Sequence, residues 1–331
     1  MAAGDAVETM SFHFSSAKSR LVALAAALAI AAVAAGCGSS DGPRGATAAL
    51  PGAGRPPVTI GDKNFTEQFI LGELYDLALS AQGYSVVLDK NIGTTQITLR
   101  ALASGKLNMY PEYLNVFDSQ IAGYRRSFRS VRGAYRAAAR WARRHGLALL
   151  APTPFDDTVG IGVLSSYAQA HGLTTLASLQ RVAAQLTLGV PPQFAQSPSG
   201  LPALERAYDL RPAHVVPIYI GSQYQALEKG AIEAAYVRTT DGELTGATFR
   251  VLGDPRQLFG VGNVVPVVTA RTLAAEGPDF ARTIERVDRL LSTPVMRELN
   301  AEVDLDGKTP QAVAQSFLQQ HGLIPPASSS S

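Results

Sequence analysis

The sequence predicts an α/β fold with mostly parallel sheets between residue 58 and about residue 325. Short apolar runs typical of buried strands alternate with longer runs that have the spacing of amphipathic helices, which is the pattern of β-α-β units. A chain of 331 residues is also too long to form only one small hydrophobic core. It suits one bilobed unit or two domains of about 100–200 residues each.

The first half of this region is predicted to contain three strands and three helices. In chain order they are strand 58–60, helix 65–82, strand 84–88, helix 96–104, strand 107–110 and helix 129–145. The helices are predicted from apolar side chains that recur with a period near 3.6 residues. The turn residues Asn91 and Gly93 end the second strand. We expect Gly146 to cap the last helix, because glycine readily adopts the left-handed conformation found there.

The second half is predicted to contain five buried strands separated by helical runs. They are 159–163, 186–190, 215–220, 234–237 and 264–268. No internal repeat is present, so the sequence does not predict a solenoid.

One long apolar segment lies near the N-terminus, at residues 21–36, directly after Lys18 and Arg20. A membrane-spanning helix needs about 20 apolar residues, and this alanine-rich segment is shorter. A positive region, an apolar region and a small-residue exit are typical of an export signal, with Met1 or Met10 as its start. Small residues then precede Cys37, as in the lipobox of bacterial lipoproteins. We interpret 1–36 as a lipoprotein signal peptide and Cys37 as the acylated residue; the alternative is an ordinary cleaved signal with an incidental cysteine.

Two low-complexity segments flank the predicted fold. Residues 37–57 are rich in glycine, serine, alanine and proline, which predicts a flexible tether. Residues 326–331 are predicted to form a disordered tail.

Composition and motif scans exclude several classes of protein. The 29 basic and 27 acidic side chains give a net charge of +2, too small an excess for a typical nucleic-acid binder. One cysteine cannot form a disulfide within the chain. No G-x-S-x-G or H-E-x-x-H motif is present, and the five histidines lack metal-ligand spacing. The sequence therefore predicts a binding protein rather than an enzyme, without a metal or other cofactor.

The segment between the first strand and the first helix reads GDKNFTEQ, from Gly61 to Gln68. It resembles the G-x-K-N-F-T-E-Q opening of the substrate-binding proteins of osmoprotectant ABC importers, which take up glycine betaine, choline, carnitine and related quaternary amines. Further similar motifs follow between about residues 58 and 324: GTT at 93–95, LNMYPEY at 107–113, YQAL at 224–227, TTDG at 239–242 and MRELN at 296–300.

This resemblance implies a two-lobed periplasmic-binding-protein fold of type II. Lobe I would combine residues 58–154 with 264–325, and lobe II would comprise residues 155–263. Two crossovers, near 152–156 and 260–264, would form the hinge. A small molecule would close the lobes, and the closed monomer would dock on the membrane permease.

The resemblance also implies a cleft in which tyrosine rings box the ligand's ammonium group. A quaternary ammonium has no N–H to donate, so cation–π attraction of about 0.5–2 kcal/mol per ring selects it instead. Tyr113 and Tyr224 fall on two of the cage positions. Val159 and Leu201 stand where tyrosines are usual.

Arg238 stands shortly before the TTDG motif, where an aromatic or aliphatic residue is usual. Facing the cleft, it would repel an ammonium group but bind a carboxylate. The alternative is that it pairs with Asp157, Asp241 or Glu243. We therefore hypothesise a ligand that is not a simple choline-like cation, such as a zwitterion or a larger, flatter molecule.

Five further polar residues are candidates for ligand contact: Asn64, Thr66, Gln96, Asp157 and Thr158. Asn64 and Thr66 follow the first strand and either face the cleft or stabilise the turn. Gln96 stands at a helix start, where it either touches ligand or caps backbone groups. Asp157 and Thr158 lie close to a predicted crossover and serve either the pocket or the hinge.

Eight arginines cluster between residues 125 and 144: Arg125, Arg126, Arg129, Arg132, Arg136, Arg140, Arg143 and Arg144. Those at 132, 136, 140 and 144 have i,i+4 spacing and share one helix face. The face is either simply solvated or contacts anionic lipid head groups or acidic permease loops.

Taken with the resemblance, these features predict an extracytoplasmic solute-binding lipoprotein of an ABC importer, anchored by acylated Cys37 to the outer face of the cell membrane. Its partners would be a small-molecule ligand and the permease, with no nucleic acid. Alternatives are a ligand-sensing clamshell no longer coupled to transport, or a binder of an unrelated small molecule in a remodelled pocket.

Overall fold

The structure is a computed structural model that describes residues 49–125 and 127–326. The predicted signal segment, Cys37, Arg126 and residues 327–331 lie outside the described residues. The described fold belongs to a compact unit that begins at Pro51. None of its helices, over the described residues, has the length and apolar character needed to cross a bilayer.

The described residues form ten strands. They are β1 (Val58–Gly61), β2 (Val86–Asp89), β3 (Met109–Tyr113), β4 (Leu147–Leu149), β5 (Val159–Leu164), β6 (Thr187–Val190), β7 (His214–Pro217), β8 (Ala234–Arg238), β9 (Phe249–Val251) and β10 (Val264–Thr269).

Thirteen α-helices connect and cover these strands in the described part of the chain. They are α1 (Thr66–Ala81), α2 (Thr95–Ala103), α3 (Leu114–Val116), α4 (Val131–Arg144), α5 (Ser165–Ala170), α6 (Leu176–Leu179), α7 (Pro192–Gln196), α8 (Leu201–Tyr208), α9 (Gln223–Glu228), α10 (Ala270–Glu276), α11 (Pro278–Asp288), α12 (Thr293–Asp304) and α13 (Pro310–Gln320). A π-helical turn (Phe117–Ile121) follows α3, and 3₁₀ turns occupy Gln180–Gln185 and Gly242–Leu244.

The strands form two five-stranded sheets, and each sheet defines one lobe. The sheet of lobe I has the order β2-β1-β3-β10-β4, and the sheet of lobe II has the order β7-β6-β8-β5-β9. Strand β10 therefore returns to lobe I after lobe II is complete. The fold is the two-lobed type II arrangement that the sequence predicts.

The prediction of mostly parallel sheets is wrong. Four of the eight strand pairings are antiparallel, namely β3–β10, β4–β10, β5–β8 and β5–β9. Strands β5 and β10 each follow a crossover and are antiparallel to their neighbours, because each enters its sheet from the other lobe. Strand–helix alternation in the sequence cannot reveal such returning strands.

Strands β3 and β7 differ clearly from the predicted bounds. Strand β3 runs on through Pro111 to Tyr113, because Pro111 pairs with Pro266 of β10 and neither residue has an N–H to leave unpaired. Strand β7 ends at Pro217, and Tyr219 and Ile220, which the prediction included, are exposed.

The predicted tether also ends earlier than residue 57. The Gly52 N–H donates to the Gln82 carbonyl at 2.9 Å, and the Arg55 guanidinium donates to the Ala275 carbonyl at 2.9 Å. A Cβ at Gly52 would lie 2.2 Å from the backbone nitrogen of Tyr84, so the close approach requires glycine. Glycine and proline here serve a packed turn rather than a flexible linker.

Each lobe has its own core. In lobe I, helix α1 packs against α11, α12 and α13 and buries Ile70, Leu71 and Leu74 completely. In lobe II, Ile161 and Leu188 lie at the centre of a second cluster. Burial of side chains of this size stabilises a fold by about 1.5–3 kcal/mol each.

The two crossovers between the lobes are tied to each other. Asn263 donates from its amide nitrogen to the carbonyls of Thr153 and Phe155, each at 3.0 Å. Asp156 forms an isolated β-bridge with Asn263 and accepts the Gly262 N–H at 2.5 Å. These bonds hold the two connecting segments side by side at the bottom of the cleft.

Helix α12 of lobe I makes a further contact with lobe II. Arg297 donates from Nε to the Thr239 carbonyl at 2.7 Å, and the Asn300 amide donates to the Thr240 carbonyl at 2.8 Å. Gly242 lies so close to Ala301 that a Cβ would be 2.7 Å from the Ala301 Cα. The two lobes therefore meet on one side of the cleft as well as at the crossovers.

The candidate ligand-binding site

A cavity of about 560 Å³, here called the main cavity, lies between the two lobes. Lobe I contributes residues 63–67, Tyr113, Val116, Asn300 and Asp304; the crossover and lobe II contribute Asp157, Ile220, Tyr236, Arg238, Thr240 and Asp241. Its position between two sheets and its mixed lining are those of a small-molecule site.

A buried ion pair supports the loop of lobe I that enters the main cavity. Lys63 Nζ lies 2.5 Å from Glu112 Oε1, and both side chains are almost completely buried. The second carboxylate oxygen of Glu112 accepts from the Thr95 hydroxyl at 3.3 Å. Lys63 is in the GDKNFTEQ motif and Glu112 in the LNMYPEY motif, so this pair fixes the first motif against the second. It holds Asn64 and Phe65 at the cavity surface.

Three aromatic rings line the main cavity. Phe65 is 39% exposed and Tyr236 is half-buried, so both offer ring surface to a ligand, one from each lobe. Tyr113 is only 2% exposed, because Phe65 stacks on it at a centroid distance of 6.0 Å and Lys63 Nζ lies 5.1 Å from its ring centroid. Phe65 and Tyr236 are therefore the more accessible rings.

Glu67 lies behind Tyr113 in the same lining. Its Oε1 accepts from the Tyr113 hydroxyl at 2.7 Å, and its Oε2 accepts from the Asn300 amide at 3.2 Å. Burial raises the pKa of Glu67 to about 8, with the nearby Asp157 carboxylate adding to the increase. A cation in the main cavity would favour the ionised form of Glu67.

Arg238 and Asp157 form a two-pronged ion pair in the wall of the main cavity. Arg238 Nε donates to Asp157 Oδ1 at 3.0 Å, and a terminal nitrogen donates to Oδ2 at 2.5 Å. About a third of the Arg238 side chain remains exposed, against 4% of Asp157. The pairing with Asp157 considered from the sequence is therefore present, and Arg238 lines the cavity as well.

Acidic side chains outnumber basic ones in the lining. Three carboxylates, those of Asp157, Asp241 and Asp304, face two bases, Lys63 and Arg238, and Glu67 adds a fourth when it is ionised. Both bases already have carboxylate partners. The electrostatic field of the main cavity therefore favours a cation over an anion.

Five of the eight predicted site residues line the main cavity: Asn64, Thr66, Tyr113, Asp157 and Arg238. Thr66 also donates from its hydroxyl to Asp304 Oδ1 at 2.6 Å, which joins the start of α1 to the end of α12.

The other three predicted residues lie outside the main cavity. The Tyr224 ring packs against Phe249, and its hydroxyl donates to Asp241 Oδ2 at 2.7 Å, so it supports a lining carboxylate from behind. Gln96 is exposed, and its amide donates to Gln120 Oε1 at 3.4 Å. The Thr158 N–H donates to the Thr239 hydroxyl at 2.9 Å, beside a separate cavity of about 300 Å³.

A second cavity, of about 440 Å³, also lies between the lobes and shares Val116 with the main cavity. Its walls include Asp118 and Arg125 from lobe I and Phe194 and Phe259 from lobe II. Val159, where the resemblance leads one to expect a tyrosine, lines this cavity too.

Phe65, Glu67 and Tyr236 also line the main cavity, although they are not among the predicted site residues. Phe65 and Glu67 stand inside the GDKNFTEQ motif, next to the predicted residues Asn64 and Thr66. Tyr236 is two residues before Arg238 on β8, and side chains two apart on a strand point to the same face. The strand period was thus the signal that would have revealed Tyr236.

Among the described residues, no group of three or more His, Cys, Asp and Glu side chains is arranged to hold a metal ion. The main cavity presents aromatic surface, carboxylates and amide groups. Groups of these kinds can contact a small organic cation or zwitterion.

Comparison with known proteins places the chain in a family. Residues 56–320 match the family described as the substrate binding domain of ABC-type glycine betaine transport systems. A glycine-betaine-binding protein of Pseudomonas aeruginosa is 31% identical over 280 residues, covering 81% of this chain and 88% of the relative. The glycine betaine-binding protein YehZ of Escherichia coli is 27% identical over 293 residues, covering 84% and 94%.

Solved structures agree with this placement. A glycine betaine/carnitine/choline ABC transporter crystal structure superposes with a TM-score of 0.76 at 25% identity, covering 80% of this chain and 99% of that chain. Apo YehZ from Escherichia coli gives a TM-score of 0.71 at 26% identity, covering 81% and 99%. The chain therefore belongs to the family of substrate-binding domains of ABC-type glycine betaine transport systems.

Proposed function

We propose that this protein captures a small quaternary amine of the betaine type between its two lobes and delivers it to the permease of an ABC importer. The observation that carries the proposal is the main cavity, where Phe65 of lobe I and Tyr236 of lobe II offer ring surface beside an excess of carboxylates. Aromatic faces and carboxylates attract a cation that has no N–H to donate.

The Arg238–Asp157 pair favours a zwitterion over a simple cation. Because Asp157 compensates its charge, Arg238 does not repel an ammonium group as an isolated guanidinium would. The exposed third of its side chain still has donors for a ligand carboxylate. The ammonium group would lie near Phe65 and Tyr236, and the carboxylate near Arg238.

The known ligands in the names of the relatives support the same ligand class. Two of them are glycine betaine-binding proteins. A third, a carnitine transport binding protein of Listeria monocytogenes, is 25% identical over 283 residues. Glycine betaine and carnitine are both zwitterions with a trimethylammonium group.

Calorimetric titration of the full-length protein with glycine betaine, carnitine and choline tests the proposal. We expect at least one zwitterion to bind, and Tyr236→Ala to weaken that binding by about 2- to 30-fold, the range for one cation–π contact. Tyr167→Ala removes a half-buried ring of lobe II that lines neither the main nor the second cavity, and serves as the matched control. Failure of all three compounds to bind would contradict the proposal.

We further propose that the protein works as a monomer outside the cytoplasm, held at the membrane by acylated Cys37 and a tether over residues 38–50. The small residues before Cys37 and the single cysteine of the chain support this anchor. No turnover of the ligand is expected.

Cys37→Ser should abolish incorporation of labelled fatty acid into the protein, because Cys37 is the only cysteine of the chain. Growth of expressing cells with radiolabelled palmitate, followed by immunoprecipitation, measures this, with Ser39→Ala as the control substitution. Labelling that persists in Cys37→Ser would exclude the lipid anchor at Cys37.

A further inference from the structure

In the wall of the second cavity lies a carboxylate oxygen that has no hydrogen-bond partner among the described residues. Asp118 lies in the π-helical turn Phe117–Ile121, is 4% exposed, and lines this cavity. Its Oδ1 is buried without a hydrogen-bond partner. A buried carboxylate oxygen without a partner is costly, and such groups are rare in native proteins.

Burial of the Asp118 carboxyl group raises its pKa to about 7. Arg125 lines the same cavity, but it is exposed and makes no ion pair with Asp118 in the described structure. Among the described residues, Asp118 Oδ1 thus has no hydrogen-bond donor and the carboxylate has no ion-pair partner.

The π-helical turn explains how Asp118 comes to face the second cavity. One extra residue in a helical turn displaces the following side chains from their ordinary helical positions, and such turns are frequent at functional sites. The Asp118 carbonyl accepts the Tyr124 N–H at 2.8 Å, so the backbone around the carboxylate is held in place.

The other walls of the second cavity suit the body of an organic ligand. Phe194 and Phe259 of lobe II lie with ring centroids 6.1 Å apart and both line the cavity. Val116 lines the second cavity and the main cavity alike, so the two are neighbours along α3. An elongated molecule that passes Val116 would reach from one cavity into the other.

We propose that the second cavity is a subsite for the far end of an elongated ligand, and that Asp118 accepts a hydrogen bond from a protonated amine there. This inference rests on the proposed function, since the near end of the ligand is the quaternary ammonium in the main cavity. A second quaternary ammonium would not satisfy Asp118, because it has no N–H. The subsite thus selects primary or secondary amines.

Three matched probes test the proposal by calorimetry on the full-length protein. Each has a trimethylammonium group at one end of a straight chain of four to eight carbons. The other end is a methyl group, a primary amine or a second trimethylammonium group. We expect the amine to bind about 10- to 100-fold more tightly than the methyl probe, the range for a charge-assisted hydrogen bond, and more tightly than the doubly quaternary probe.

Substitution of Asp118 assigns the preference to this residue. Asp118→Asn removes the charge and Asp118→Leu removes both charge and acceptor; in each, the preference for the amine over the methyl probe should fall to less than about 3-fold. Asp306→Asn, at an exposed residue outside the main and second cavities, is the control and should keep the preference. Binding of glycine betaine by the Asp118 variants verifies that they are folded.

The outcomes separate this inference from the proposed function. Equal binding of the methyl and amine probes by the natural protein, with glycine betaine also bound, overturns the subsite alone. A preference for the amine that persists in both Asp118 variants overturns the role of Asp118. Absence of binding by every probe and by glycine betaine, carnitine and choline overturns both the subsite and the proposed function.

Discussion

Single residues in the cleft line the main cavity and also stabilise their neighbours. Arg238 lines the main cavity and also compensates the buried Asp157 carboxylate. Lys63 supports the Asn64–Phe65 loop through Glu112 and covers one part of the Tyr113 ring. A residue's presence in a motif therefore does not tell whether it contacts ligand or holds a neighbour that does.

The Arg238–Asp157 pair should show strong coupling in stability. Arg238→Met leaves a buried carboxylate without its cation and should lower the free energy of unfolding by about 2 kcal/mol. This is less than the ~3–5 kcal/mol for a fully buried pair, because a third of the Arg238 side chain is exposed. In the double variant Arg238→Met with Asp157→Asn, most of that loss should be recovered. Urea unfolding of the two variants measures both values, and a double variant no more stable than Arg238→Met would contradict the pairing.

Five of eight candidate residues could be placed in the main cavity from motif context alone. Tyr224 could not, because only the fold shows that α9 packs its ring against Phe249 and turns its hydroxyl to Asp241. Asp118 could not either, since an unpaired buried carboxylate is recognised only when its surroundings are known. Local sequence predicts where a side chain lies along a helix or strand, but not which residues pack against it.

At the scale of elements, apolar periodicity was enough for the long helices. Helix α1 begins and ends within one residue of the predicted bounds, and α4 begins two residues later and ends one residue earlier. Gly146 has a φ of 69°, as expected of the residue that ends α4. Helix α4 was predictable because one of its faces is consistently apolar, and α1 because apolar residues recur along its whole length.

Strands were harder to delimit. Strand β3 contains a proline in a central position, which sequence rules treat as a strand end. The three-residue strands β4 and β9 were not predicted, since such short runs have no detectable period. Antiparallel pairing of β5 and β10 follows from the path of the chain between lobes, which no local pattern encodes.

Helix α4 carries the basic stripe on its outer side. Arg132, Arg136 and Arg140 are exposed, while Ala134 and Ala138 are buried against lobe I. The small alanines let the helix lie close to the core and leave the arginines in solvent. A solvated face and a face for anionic partners are both compatible with this arrangement.

At the scale of the whole molecule, the lobes meet at two crossovers and at the α12 contact with the Gly242–Leu244 turn, and enclose the main and second cavities. Such an arrangement favours a hinged closure in which ligand contacts from both lobes form together. Phe65 and Tyr236 belong to different lobes, so a ligand between them would bring the lobes towards each other.

The distance between the lobes, with and without ligand, tests this account most directly. Cys37 is the only cysteine, so in a Cys37→Ser background two spin labels can be placed at exposed positions, Arg140→Cys in lobe I and Glu205→Cys in lobe II. Pulsed electron paramagnetic resonance then gives the distribution of distances between them. Saturation with the tightest binder among glycine betaine, carnitine and choline should shift the distribution to a single narrower peak. Tyr236→Ala should need a higher ligand concentration for the same shift. A distribution unchanged at saturation would contradict capture of the ligand between the lobes.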